Sequence, residues 1–255
     1  MQFGMATACN SEFSEWSRRW MCLAKFSGKR LVDEESRIAS VIALWKESIP
    51  PGWERERGRD SRLLDPRRRY CRGNYRQNSV RRGEHVIEYE ILNPSPRRVP
   101  TTCLGAKLVD GINAVPLAKD ACGGRRGNVE ADMLLLVRDE HAYRLQLIEV
   151  KVTSDNAWFA AVENLRQLKL FLASPEARRL FHERCPTLGL GQELEDVMGV
   201  VLAPRAHEFY EAPVKRRDSV APARRLLKRL RDETGVDTRL ATWDPHERVI
   251  EEYMS

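Results

Sequence analysis

The chain has 255 residues, 42% of them hydrophobic, which supports a buried core and excludes global disorder. Its net charge of +6, with 34 arginines against 9 lysines, and a pI near 9.1 suit a polyanionic partner, although a GC-rich genome produces the same arginine bias. No apolar run approaches a membrane span, the start Met1-Gln2-Phe3-Gly4-Met5 lacks the pattern of a secretion signal, and the cysteines at 9, 22, 71, 103, 122 and 185 form neither CxxC pairs nor a zinc cluster; free thiols in the cytoplasm are the expectation.

In chain order, the first clear element is a helix over 33–49, with Ile38, Val41, Ile42, Trp45 and Ile49 at helical spacing, stopped by Pro50-Pro51-Gly52. An arginine-rich stretch follows from Arg55 to Arg82, including Arg67-Arg68-Arg69 and Arg81-Arg82; with few aliphatic residues it reads as a surface loop or insertion. His85 to Leu92 alternates as a strand, with Ile87, Tyr89 and Ile91 on one side and a short helix as the alternative. Residues 104–119 fit neither period cleanly.

Gly123-Gly124-Arg125-Arg126-Gly127-Asn128 reads as a loop feeding a buried strand, Val129 to Val137, which carries Asp132. Arg138-Asp139-Glu140-His141 turns into a second apolar strand from Tyr143 that ends Glu149-Val150-Lys151. Ser154, Asp155 or Asn156 can cap a helix to about Ala173, whose core stripe is Trp158, Ala161, Val162, Leu165, Leu168 and Leu172. A second helix is expected from Ser174-Pro175 to near Pro186, then a strand over Val197–Leu202 and a basic amphipathic helix over Ala221–Glu233 with Leu226, Leu227 and Leu230 inward. A strand at Leu240–Trp243 and a helix from Pro245 complete the chain. Strand, strand, helix, helix, strand implies an α/β fold, a mixed central sheet flanked by helices.

The chemistry converges on the two adjacent strands. Alternate residues share a face, so Glu149 pairs with Lys151 and Glu130 with Asp132. If the strands pair through the 138–141 turn, the acids meet, and an unpaired buried charge costs several kcal/mol or more, so such a cluster has a use. Two carboxylates and waters suit a hard divalent cation, which would polarise a phosphoryl oxygen and acidify a bound water; Lys151 would orient that water or stabilise transition-state charge. An acid two residues before a lysine is common, so the weight rests on the set and not on Glu149-Val150-Lys151 alone. The competing reading is a structural ion-pair network at a strand end. No GxxxxGK[ST] loop is present, which disfavours a P-loop NTPase.

Asp132 on one strand, Glu149-Val150-Lys151 on the next and a helix carrying Gln167-Leu168-Lys169-Leu170-Phe171 resemble the PD-(D/E)xK nuclease superfamily. The Gln-x-x-x-aromatic pattern looks like that of its RecB- and Cas4-like branch, with Phe171 in place of tyrosine and Glu163 one turn before Gln167. The resemblance covers roughly residues 128–203. The proline of the PD motif is absent, and the iron–sulfur cysteines of some members are not recognisable. It implies a restriction-endonuclease-like core over 83–255 behind an N-terminal helical and arginine-rich extension, 1–82. It further implies a magnesium- or manganese-dependent nuclease acting on DNA, with Asp132 and Glu149 on the metal and Lys151 and Gln167 assisting.

The family's acid on the first core helix has Glu88, Glu90 and Asp110 as candidates here, with Glu35 further out. Arg67, Arg68, Arg69, Arg81, Arg82, Arg125 and Arg126, and the basic helix at 221–233, are candidate contacts to the nucleic-acid backbone, a solvated basic surface being the alternative. The rival class is a nucleic-acid-binding or assembly protein that keeps such a fold without cleaving. Whether the chain acts as a homo-oligomer or with a partner protein stays open.

Overall fold

A computed structural model describes residues 12–25, 33–51, 53, 83–92, 99–119, 128–140, 142–152, 156–174, 194–205 and 219–253. The helices are α1 (Glu12–Ala24), α2 (Glu34–Lys46), α3 (Glu84–Leu92), α4 (Ala157–Leu172) and α5 (Val220–Thr234). The strands are β1 (Thr102–Cys103), β2 (Ala106–Lys119), β3 (Asn128–Arg138), β4 (Tyr143–Val150), β5 (Leu194–Pro204), β6 (Thr238–Asp244) and β7 (Val249–Glu252).

The strands form one mixed sheet in chain order. β2, β3 and β4 run antiparallel. β4, β5 and β6 run parallel, as the crossovers through α4 and α5 require. β7 turns back on β6, and the two-residue β1 pairs with both β2 and β7, which closes the sheet on itself.

Alternation divides the buried strand residues between two cores. Leu134, Leu136, Leu145, Leu147, Val201 and Leu240 face the layer of α1, α2, α4 and α5. Met133, Leu135, Ile148, Val150, Val200, Leu202, Ala241 and Trp243 form the other core, against which α3 lays Ile87, Ile91 and Leu92. Each fully buried large apolar side chain contributes about 1.5–3 kcal/mol, so both faces of β3 and β4 hold the sheet in place.

The β3–β4 hairpin, α4, β5, α5 and β6 stand where the sequence places them, and α2 does so as far as Lys46, with Ile49 beyond its end. Asp139 closes the hairpin by accepting from Ala142 N at 2.8 Å. Asn156 is the α4 cap, its side chain accepting from Phe159 N at 2.7 Å, and Gly235 ends α5 in the left-handed region at φ 76°.

Three expectations change. His85–Leu92 is the short helix given as the alternative and not the strand: Ile87, Ile91 and Leu92 make a helical stripe, and Tyr89 points outward, 39% exposed. No helix follows Pro245. Asp244 Oδ1 accepts from His246 N at 2.9 Å and Glu247 N at 3.2 Å, Arg248 takes φ 57°, and the chain returns as β7. Helix α1 was not foreseen, although Phe13, Trp16, Trp20 and Ala24 are all buried along one side of it. They share one core with α2 and α4. The expected helix over 175–186 lies outside the described residues. Among the described residues no helix is long and apolar enough to cross a membrane.

Candidate active site

The acids meet beside the end of β4. Asp132 leaves β3 on the face it shares with Leu134 and Leu136, and its Oδ2 accepts from Val150 N at 2.7 Å. Glu149 leaves β4 on the same face as Leu145 and Leu147, toward α4. There Gln167 donates from Nε2 to Glu149 Oε2 at 2.7 Å and to the Glu130 carbonyl at 2.9 Å. Gln167 therefore ties the helix to both strands.

Lys151 follows β4 and folds back over the cluster. Its Nζ lies 2.5 Å from Glu149 Oε1, 3.1 Å from Glu163 Oε2 and 4.0 Å from Glu84 Oε1. Its side chain is only 8% exposed. Backbone bonding fixes this geometry, since Lys151 N donates to Leu202 O at 2.8 Å and continues the β4–β5 ladder.

The electrostatics follow from burial. Desolvation raises the Asp132 carboxyl to about 8, opposed by the Val150 N–H and Lys151 and reinforced by Glu88 and Glu84. Asp132 is only half-buried, so solvent at its open side relieves part of that push. Glu149 is held well above the ordinary glutamate range by burial first, then by Asp132 and Glu163. Burial opposes the charge on Lys151, but Glu149 and Glu163 overcome it and hold the ammonium above the usual lysine value. Lys151 is thus a fixed cation and not a free base.

Asp132, Glu149, Lys151 and Gln167 come together as the sequence suggests. Of the candidate acids from the first core helix, Glu88 acts on Asp132. It is 2% exposed, with His85 Nδ1 3.0 Å from Oε1 and Asn113 Nδ2 donating to Oε2 at 3.0 Å. Glu90 instead accepts from Trp243 Nε1 at 2.9 Å. Asp110 accepts from its neighbour Gly111 N at 2.7 Å, and Glu35 pairs with Arg229 at 3.2 Å. Phe171 is a core residue, fully buried. Arg67, Arg68, Arg69, Arg81, Arg82, Arg125 and Arg126 lie outside the described residues.

Sequence reasoning gave no role to Glu84, Asn113 or Glu163. Glu84 and Glu88 stand four apart, a pairing visible only once the segment is read as a helix. Glu163 stands four before Gln167, and that spacing was the available signal.

Asp132, Glu149 and Glu163 act on one buried ammonium, Glu84 stands 4.0 Å from it, and Glu88 adds its charge beside Asp132. Gln167 Oε1 is also a buried acceptor with no hydrogen-bond partner. This oxygen-rich, negatively charged lining is the chemistry a hard divalent cation takes. As the side chains stand, no group of three or more His, Cys, Asp or Glu among the described residues is set to hold a metal ion; the Lys151 ammonium rests on Glu149 instead. No protein-family model matches the chain, and neither a curated protein nor a solved structure matches it.

Proposed function

We propose that the protein is a divalent-metal-dependent nuclease with a restriction-endonuclease-like core. The observation that supports this is the meeting of Asp132 and Glu149 beside Lys151 and Gln167, with buried carboxylate in excess of buried cation. Asp132 and Glu149 would hold magnesium or manganese, with water filling the remaining positions. When bound, the cation supplies a polarised phosphoryl oxygen and an acidified water. Lys151, kept protonated by its acidic neighbours, stabilises charge on the phosphoryl oxygens or orients the water. Gln167 holds the Glu149 carboxylate in one orientation, and Glu88 adds negative charge beside Asp132. DNA is the proposed substrate on the strength of the resemblance of the motif set.

The test is cleavage of single- and double-stranded DNA and RNA with Mg2+ or Mn2+ by wild type, Asp132→Ala and Lys151→Ala. Each variant should lose about a hundredfold or more in rate, as removal of one charge-stabilising group costs in other active sites. Cleavage that survives both substitutions would remove the site assignment.

One observation favours a second reading. Lys151 already neutralises one oxygen of Glu149 at 2.5 Å, as a purely structural ion-pair network would. A nucleic-acid-binding or assembly protein that does not cleave fits that arrangement. Binding of nucleic acid without cleavage of any substrate would select it.

A further inference from the structure

Helix α5 carries five cationic side chains, Arg224, Arg225, Lys228, Arg229 and Arg231, and the structure sorts them. Arg225 is engaged by Glu34 of α2, its Nη2 at 2.8 Å from Oε2. Arg229 reaches Glu35 at 3.2 Å and Glu233 at 2.9 Å. These two fasten α5 to α2 and to itself. The other three stand at i, i+4 and i+7, one face of a helix, and all three line an open cleft of about 370 Å³ between α5 and the β6–β7 strands.

The opposite wall is Arg239 with Asp237, Glu252 and Tyr253. Both of these acids are already engaged: Arg239 donates to Asp237 Oδ2 at 2.9 and 3.0 Å and to Glu252 Oε2 at 3.0 Å. Arg224 is pinned at the cleft wall, donating to the Tyr253 carbonyl at 2.6 Å with its guanidinium 5.0 Å from that ring's centroid. Lys228 and Arg231 are exposed and form no ion pair with a described residue. Four cations against two acids leave the cleft with a net charge of +2.

We propose that this flank of α5 is a contact for the phosphodiester backbone of nucleic acid. It is separate from the acidic site, which is built on β3, β4 and α4, whereas the cleft belongs to α5, β6 and β7. The row extends about 10 Å along the helix axis at 1.5 Å per residue. That is long enough to meet more than one phosphate of a strand, and arginine's planar fork suits phosphate oxygens. The inference rests on the nucleic-acid reading of the protein, but not on the acids or on hydrolysis.

The test is fluorescence anisotropy with a labelled DNA single strand and its duplex, in EDTA so that no metal-dependent cleavage intervenes, over a salt series. Wild type is compared with Lys228→Glu/Arg231→Glu and with the milder Lys228→Ala/Arg231→Ala, each checked for an unchanged melting temperature. Affinity should fall about tenfold or more in the charge-reversed variant, and the slope of log affinity against log salt should drop by about two. Unchanged affinity and slope would overturn the inference. A wild type that cleaves while the variants bind as well as wild type overturns the row alone. A wild type that binds through the row yet cleaves nothing supports the row and overturns hydrolysis. Displacement of the probe by polyglutamate at equal charge would assign the cleft to an acidic polypeptide and overturn the proposal.

Discussion

Replacing Lys151 by methionine removes the one buried ammonium while keeping most of its apolar stem. In the native arrangement that ammonium touches Glu149 at 2.5 Å and Glu163 at 3.1 Å. Without it, two carboxylates with little access to water lose their counter-charge. Breaking a buried ion pair from one side costs about 3–5 kcal/mol. For a chain of this size each kcal/mol moves the melting temperature by about 2–4 °C, so the expected loss is about 6–20 °C. The loss depends on pH, and its sign follows from linkage. Asp132 is raised to about 8 in the folded protein, and Glu149 is raised as well. Between the ordinary carboxylate value near 4 and these raised values, the folded state binds more protons than the unfolded one. Stability therefore falls as pH rises through that window. Removing Lys151 pushes the acids further up and deepens the fall. The loss should be small at about pH 5 and full at about pH 8. Lys151 itself stays charged in both states across this range and adds no slope of its own. Magnesium at a hundred times its dissociation constant should return about 2.7 kcal/mol. Differential scanning fluorimetry at both pH values, with and without magnesium, reads all of this. Equal losses at the two pH values would mean the damage is packing and not charge, and no loss at pH 8 would refute the buried-cluster argument altogether.

Gln167→Leu removes the donors to Glu149 Oε2 and the Glu130 carbonyl; a buried acceptor left without a donor costs about 1–3 kcal/mol, read by urea denaturation. In a cleaving protein the same substitution should lower kcat while leaving KM near wild type. Gly199→Ala would set a Cβ 2.3 Å from Asn164 Oδ1 and 2.6 Å from Thr238 Oγ1, so about 1–3 kcal/mol of overpacking is expected, seen as a lower urea midpoint with an unchanged slope. Cys103 is fully buried and its thiol is pushed up to about 12 by desolvation. Alkylation mapped by mass spectrometry should therefore leave it unmodified in the native protein at neutral pH and label it only on unfolding.

How much of the site was legible depended on which physical signal each residue carried. Asp132, Glu149 and Lys151 are charges set in greasy strands, and burial of charge is visible in a sequence because it is costly. Gln167 was visible only through the resemblance of its Gln-x-x-x-aromatic stretch to a nuclease motif. Glu88 was not assignable, and the reason is geometric. A strand over His85–Leu92 puts Glu88 and Glu90 on one side and gives no ground for choosing between them. A helix turns Glu84 toward Lys151 and Glu88 toward Asp132, and sends Glu90 to Trp243. The nine residues of α3 are too short for periodicity to decide between helix and strand. β7 was missed for a related reason. A single Asx turn at Asp244 redirects the chain, and its two hydrogen bonds leave no trace in hydrophobic pattern.

Helix α4 explains why the site and the core cannot be altered independently. Leu165 and Leu168 pack into the helical-layer core, while Glu163 and Gln167 on the same helix face the acids. Asn164 between them donates to Leu147 O at 3.1 Å, locking the helix to β4 two residues before Glu149. α1 packs on this helix in turn, and Arg166 donates to Ser17 Oγ at 3.2 Å. Glu163 also lies 3.9 Å from Arg166. A continuous set of contacts therefore runs from Lys151 through Glu163 and Arg166 to the N-terminal helix. Packing at native density transmits small shifts instead of absorbing them. The aromatic stripe of α1 thus does more than cover apolar surface: it fixes the position of the helix that orients Glu149 and counterbalances Lys151.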